Sequence, residues 1–238
     1  MIPAPSLDPP VVVLTGAGVS TASGIPDFRS KGGLWDTFDP MEFTIQRFQA
    51  DPAAFWSRRV AYITAAKHLD ARPNHGHLAL AGAAKDGRVE AIVTQNVDGL
   101  HAKAGTPPER LLEVHGNGSR AVCLRCGAKE PIGEVLEALR PGSAPTCAAC
   151  GGLLKPDVVL FGEAVTAMAE AAAIVGRART LVVAGTSLQV YPAAGLVDLA
   201  LARGAAVLLL NREATPYDAR ASEVRRGPVE DELARLFP

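Results

Sequence analysis

VVVLTGAGVS, residues 11–20, is the stretch from which the rest of the chain is read. A short β-branched run flows directly into a turn containing Gly16 and Gly18. Near-continuous Val/Leu runs suit a parallel strand covered on both faces. A glycine turn after the first strand of an α/β sheet lets backbone approach a pyrophosphate, and the following helix N-terminus offers free amides and a positive dipole end. Thr21 stands where the third glycine of a full G-x-G-x-x-G pattern would fall, so the segment alone reads equally well as a tight connection.

Working outward, similar apolar runs recur at residues 89–94, 111–114, 158–161, 180–184 and 205–210. Between them lie segments with helical length and Ala/Leu content, at 52–69, 74–85, 164–177 and 192–203. The alternation predicts βαβ units and a Rossmann-like, doubly wound α/β core. Two regions interrupt it. Residues 24–50 are rich in Gly, Pro, Asp and aromatics and read as a long loop with little helix. Residues 116–156 hold all four cysteines and no convincing core strand, which suggests a small inserted module.

The chain has 238 residues, enough for one large domain or one large and one small. A formal net charge of −1 gives no global field that would favour nucleic acid or an anionic membrane. The first residues, MIPAPSLDPP, have neither a basic start nor an apolar run, and no apolar stretch is long enough for a bilayer. A cytoplasmic location is therefore expected. There, paired cysteines point to metal or redox chemistry rather than disulfides.

The cysteines fall as Cys123-x2-Cys126 and Cys147-x2-Cys150. Two such knuckles place four thiolates around one zinc ion, and a redox pair would not explain the second knuckle. Gly127 and Gly151 permit the tight turns that aim backbone amides at the sulfurs. Four sulfur ligands fill the tetrahedron and leave no place for water or substrate, so the zinc is expected to be structural. A zinc-ribbon that binds nucleic acid would need more basic and aromatic residues around the cysteines than are present.

Polar segments gather at the predicted strand ends, where α/β sheets bind ligands. They are Ser23-Gly24-Ile25-Pro26-Asp27-Phe28-Arg29, Thr94-Gln95-Asn96-Val97-Asp98-Gly99-Leu100-His101, Glu113-Val114-His115-Gly116, Val158-Val159-Leu160-Phe161-Gly162-Glu163 and Gly185-Thr186-Ser187-Leu188-Gln189-Val190-Tyr191-Pro192. In this order, with the four-cysteine insert, they resemble the sirtuin family of NAD-dependent protein deacylases, over nearly the whole chain.

The resemblance implies a single catalytic domain. Its Rossmann-like part would take in about 9–27, 86–115 and 157–238, and its smaller part insertions at about 28–85 and 116–156. It implies that Gly16, Ala17, Gly18 and Ser20 cradle the NAD diphosphate and ribose. Ile25, Asp27, Phe28, Arg29 and Trp35 would belong to a mobile cofactor loop. Gln95, Asn96, Val97 and Asp98 would hold the nicotinamide riboside end, and Gly185, Thr186, Ser187, Asn211, Arg212, Glu213 and Val229 the adenosine side. His115 would be the catalytic base, with Asn96 beside it; a near-neutral imidazole suits proton abstraction from a ribose hydroxyl. An acylated-lysine peptide would enter as an added strand against Val158, Phe161, Gly162, Glu163, Leu188 and Val190.

The implied reaction moves the acyl group from lysine to ADP-ribose, releasing nicotinamide and O-acetyl-ADP-ribose. NAD is a co-substrate, and the partners are acetylated proteins or peptides, with no specific nucleic acid, no membrane, and a monomer expected. Relatives that prefer succinyl- or malonyl-lysine carry a Tyr and an Arg three residues apart after the cofactor loop. Here Trp56 replaces the Tyr and Arg59 stands in the second position, so deacetylation is the expected main activity, with desuccinylation open. Protein ADP-ribosylation would share the cofactor residues. A nucleotide-binding module with a dead site is disfavoured because Asn96, Asp98 and His115 are all present.

Overall fold

The computed structural model describes residues 7–66 and 70–238. The strands are β1 (Val11–Thr15), β2 (Ala91–Thr94), β3 (Leu111–Glu113), β4 (Gly116–Cys123), β5 (Lys129–Pro131), β6 (Leu154–Val158), β7 (Thr180–Ala184), β8 (Ala206–Leu210) and β9 (Glu223–Arg225). The α-helices are α1 (Ile45–Ala50), α2 (Pro52–Ala65), α3 (His75–Lys85), α4 (Leu100–Lys103), α5 (Ile132–Ala138), α6 (Met168–Val175), α7 (Gly195–Ala202) and α8 (Val229–Leu236).

Six strands form a sheet in the order β3-β2-β1-β7-β8-β9, with every pairing parallel. The strand order reverses between β1 and β7, which opens a crevice at their carboxyl ends. The Val-rich runs follow from burial on both faces. Val12 and Leu14 join Leu181, Val183, Val207 and Leu209 in one core, packed with Val175, Val197 and Ala200 of α6 and α7. Val11 and Val13 join Val182, Leu208 and Leu210 in the other, under Leu80 and Ala84 of α3 and Leu233 and Leu236 of α8.

A second sheet, β5-β4-β6, is antiparallel. It shares a core with α1 and α2: Phe48, Phe55, Trp56 and Ile63 pack with Ala121, Ile132, Leu154, Cys123 and Cys147. Helix α2 starts on Pro52, with the Asp51 carboxylate accepting from Ala54 N. Helix α3 is capped by Asn74, whose Oδ1 accepts from Gly76 N and His77 N.

Several expectations need correction. The run 158–161 is not a strand of the large sheet: β6 ends at Val158 in the small sheet, and the rest is a loop. Residues 116–156 do contain strands. The loop 24–50 carries two short 3-10 turns, Leu34–Asp36 and Pro40–Phe43, and α1. Helix α3 packs on the large sheet, so the helical insertion does not extend to residue 85. The far end of the 52–69 expectation, with His68, lies outside the described residues. Among the described residues no helix is long and apolar enough to cross a membrane.

Candidate functional site

The end of β1 and the end of β7 meet almost backbone to backbone. A Cβ added at Gly16 would lie 2.6 Å from Thr186 Cβ, and one at Gly18 2.8 Å from Gly185 Cα. Gly185 itself sits at φ +62°, a conformation that costs glycine little. Gly16 N donates to Ala184 O and Gly18 N to Gly185 O, so these two amides clamp the loops together instead of standing free for a phosphate. The element that follows is a 3-10 helix, Ala17–Ser23, not the α-helix that the turn suggested.

A cleft of about 680 Å³ opens there, lined by every residue that the sequence pointed to for NAD, together with His115. Its inner wall is rigidly hydrogen-bonded. Asn96 is buried, and its Nδ2 donates to Gly16 O at 3.1 Å and to Ser20 Oγ at 3.2 Å. A carbonyl only accepts, which fixes the amide's orientation and leaves Oδ1 as its one polar atom for a ligand. Ser20 Oγ donates to Asp98 Oδ2 at 2.7 Å, and Leu100 N donates to Asp98 Oδ1 at 2.8 Å. Gln95 Nε2 donates to Thr186 Oγ1 at 3.1 Å, tying the ends of β2 and β7.

His115 lies two residues beyond the end of β3, and its Nδ1 lies 3.0 Å from Gln95 O. Because that oxygen accepts only, Nδ1 carries the proton and Nε2 keeps its lone pair. Burial lowers the His115 pKa from its usual value, partly opposed by the Gln95 hydrogen bond. A neutral imidazole with a free Nε2 is the form that a general base requires.

The outer wall is aromatic and more open. Trp35 bridges the cofactor loop and the segment after β6, with ring centroids 5.0 Å from Phe28 and 6.2 Å from Phe161. Asp27 organises that loop by accepting from Arg29 N, Ser30 N and Ser30 Oγ. Arg29, Arg212 and Glu213 are exposed at the rim, while Val229 is buried. The segment 158–163 is fixed through its backbone: Val159 N donates to His115 O, Phe161 N to Phe43 O, and Ile45 N to Phe161 O. Lys155 is buried. Its Nζ donates to Val158 O at 2.6 Å and to Glu163 Oε2 at 2.9 Å, which pins both ends of the segment.

Val158, Phe161, Gly162, Glu163 and Val190 line the cleft; Leu188 does not. Its side chain is 1% exposed in the large-sheet core, and its backbone sits at φ 55°, unusual for leucine. Trp56 is also absent from the cleft: it is fully buried, and its indole N–H donates to Leu154 O at 3.0 Å. Sequence reasoning passed over Tyr62, which lines the cleft one turn after Arg59 on α2. The spacing that finds Arg59 also puts Tyr62 on the same helix face.

Remote from the cleft, the Sγ atoms of Cys123, Cys126, Cys147 and Cys150 lie within 4.8 Å of one another. Cys123 and Cys150 sulfurs are 3.5 Å apart, and Cys126 and Cys147 sulfurs 3.8 Å. A disulfide needs about 2.0 Å, whereas a tetrahedron with Zn–S bonds of about 2.3 Å has edges of about 3.8 Å. The cluster fits a structural zinc. Gly127 and Gly151 sit at φ 73° and 71°, and Arg125 N and Gly152 N donate to Cys123 Sγ and Cys150 Sγ, as expected of the knuckle turns.

The family model described as "Sir2 family" matches residues 16–192, most of the chain. The chain belongs to the Sir2 family. A relative in Pyrobaculum aerophilum, named NAD-dependent protein deacetylase 1, is 44% identical over 95% of this chain and 88% of its own length. NAD-dependent protein deacetylase 2 of Streptomyces coelicolor is 43% identical over 96% and 97%. A solved Sir2 structure with a deacetylated p53 peptide and 3'-O-acetyl ADP-ribose superposes with a TM-score of 0.87. It is 35% identical, covering 95% of this chain and 91% of that one. A Sir2 bound to acetylated peptide superposes at 0.83 with 34% identity and the same coverage. The chain thus has the sirtuin fold over nearly its whole length.

Proposed function

We propose that this sirtuin is an NAD-dependent protein-lysine deacetylase, which moves the acetyl group of lysine to ADP-ribose with release of nicotinamide. The relatives' names and the ligands in the solved structures support it. The observation that carries it is the pinned tautomer of His115: Nδ1 is tied to Gln95 O, so a basic Nε2 is held in the cleft that Asn96 and Asp98 wall. NAD supplies the electrophilic ribose carbon that takes up the acyl oxygen. The chain supplies the rest. Asn96 Oδ1 and the Asp98 carboxylate accept from the nicotinamide riboside end, and His115 Nε2 takes the proton of a ribose hydroxyl. The exposed rim around Asn211, Arg212 and Glu213 receives the adenosine side. The peptide pairs its backbone with 158–163 and with the segment around Val190, both held in place independently of its sequence.

Nicotinamide release measured with and without acetyl-lysine peptide tests this reading. Release should depend on the acetyl group, and His115→Ala should lower kcat about 10²- to 10⁴-fold, the range for a positioned base. Release that ignores the peptide, or labels protein with ADP-ribose instead of producing O-acetyl-ADP-ribose, would replace deacetylation with the transferase alternative.

One observation favours a second acyl class. Arg59 lines the cleft at 5% exposure, and its Nε and Nη2 have no hydrogen-bond partner. Its guanidinium lies 4.9 Å from the Tyr62 ring centroid. No carboxylate pairs with Arg59 among the described residues, and a buried cation without a counter-ion is costly. An acyl chain that ends in a carboxylate would supply one. With acetyl- and succinyl-lysine on one peptide, we expect kcat/KM to favour acetyl, and Arg59→Met to reduce succinyl turnover alone. A wild-type preference for succinyl would move the conclusion to this second reading.

A further inference from the structure

The mechanism leaves His101 without a task. It lies on α4 at 2% exposure, behind the cleft wall and not in it. Its Nε2 is 3.0 Å from Thr15 Oγ1 at the end of β1. Thr15 Oγ1 donates to Thr94 Oγ1 at 2.8 Å, at the end of β2. Thr94 Oγ1 in turn accepts the backbone N–H of Asn96 at 3.1 Å. Thr15's single proton is engaged with Thr94, so His101 Nε2 carries a proton and donates; the tautomer follows from counting protons.

The chain His101–Thr15–Thr94–Asn96 crosses three elements, and its two threonines are 0% and 2% exposed. If His101 only filled space, an apolar side chain would do so without burying a hydroxyl pair and an imidazole. On its other side Asn96 gives both amide hydrogens to Gly16 and Ser20. Its backbone and side chain are thus held from opposite directions, and Oδ1 alone faces outward.

We propose that His101 is a positioning residue for cleavage of the bond between nicotinamide and ribose. Through Thr15 and Thr94 it fixes the main chain at Asn96, which keeps Oδ1 at the reacting end of the dinucleotide. The inference rests on the NAD reading above. His101 makes no contact with substrate and exchanges no proton with it; its contribution is geometric. Binding of the adenosine half, at the far rim, is independent of it.

The test measures nicotinamide release against NAD concentration, at saturating acetyl-lysine peptide, for the full chain and its His101→Leu, His101→Gln and Thr15→Val variants. In His101→Leu, kcat should fall roughly ten-fold or more while KM for NAD stays within about two-fold, the signature of a lost transition-state contact. His101→Gln, whose amide presents an N–H near the Nε2 position, should recover most of the loss. Thr15→Val is isosteric and breaks the same chain, so it carries the test if His101→Leu does not fold. It should lose about as much, and the double variant no more than either single one, because the two act in series. Wild-type kcat in either chain-breaking variant, a loss that Gln does not recover, or additive losses would each overturn the inference alone. A wild-type protein that releases no nicotinamide would overturn the NAD reading and the inference with it.

Discussion

His77 and His101 lie with ring centroids 4.9 Å apart beneath Ser20 and Thr15, and both are almost completely buried. Burial pushes the pKa of His101 down to about 3, with His77 adding a smaller push, and that of His77 down to about 4 against the pull of Asp98. In the unfolded chain both titrate near 6.5. Between about 4 and 6.5 the unfolded state therefore binds more protons than the folded one. Both folded pKa values are depressed, so the stabilisation is fully present above 6.5 and is lost as pH falls through that window. The slope is roughly 1.4 kcal/mol per pH unit for each responding histidine. We expect the urea midpoint to drop clearly from pH 7 to pH 5, and to drop less in a His77→Gln/His101→Gln variant. An unchanged dependence in that variant would assign the acid sensitivity to other groups. The cleft histidine behaves differently in kinetics. His115 is lowered by burial and is needed neutral, so the acid limb of kcat/KM should fall with an apparent pKa below 6.5.

At the scale of elements, legibility followed burial. The bounds of β1 and β7 could be read directly because these strands are buried on both faces, and their Val/Leu runs have no other use. The strands of the small sheet were not readable. β4, GNGSRAVC, breaks its alternation at Ser119, which is exposed where a buried residue would fall, and starts on a glycine at φ 79°. β6 carries Pro156, and a proline argues against a central strand. It is an edge strand that pairs only with β4, where proline is tolerated. The misplaced run at 158–161 has strand-like composition, yet its backbone bonds go to residues 43, 45 and 115, which make it a bridge between insertion and sheet. Most of the cleft was visible as polar motifs at strand ends. Leu188 was not placed correctly, because motif position does not reveal which way a side chain points. The polar chain behind Asn96 was invisible for a related reason: Thr15 and Thr94 look like ordinary strand residues until β1 and β2 are paired in register, Thr15 opposite Thr94.

Across the whole molecule the two sheets are joined at the site itself. β4 begins one residue after His115, and β6 runs out into the segment that Val159 ties back to His115 O. The small sheet's core includes Cys123 and Cys147, so two of the four thiolates are also core residues. A zinc ion bound there closes the loop from 123 to 150, and its binding energy is folding energy for that unit. The large sheet, with cores on both faces, has no such dependence. The expected content is one zinc per chain. On chelation, amide exchange should rise first across β4, β5 and β6 and in α2, while β1 and β7 remain protected. Deacetylation should disappear in parallel with the loss of small-sheet protection, because the peptide segment and the peptide bond after His115 lose their support together. Full activity in a folded, zinc-free protein would show that the small sheet holds its shape unaided, and would remove the zinc from any role in the site.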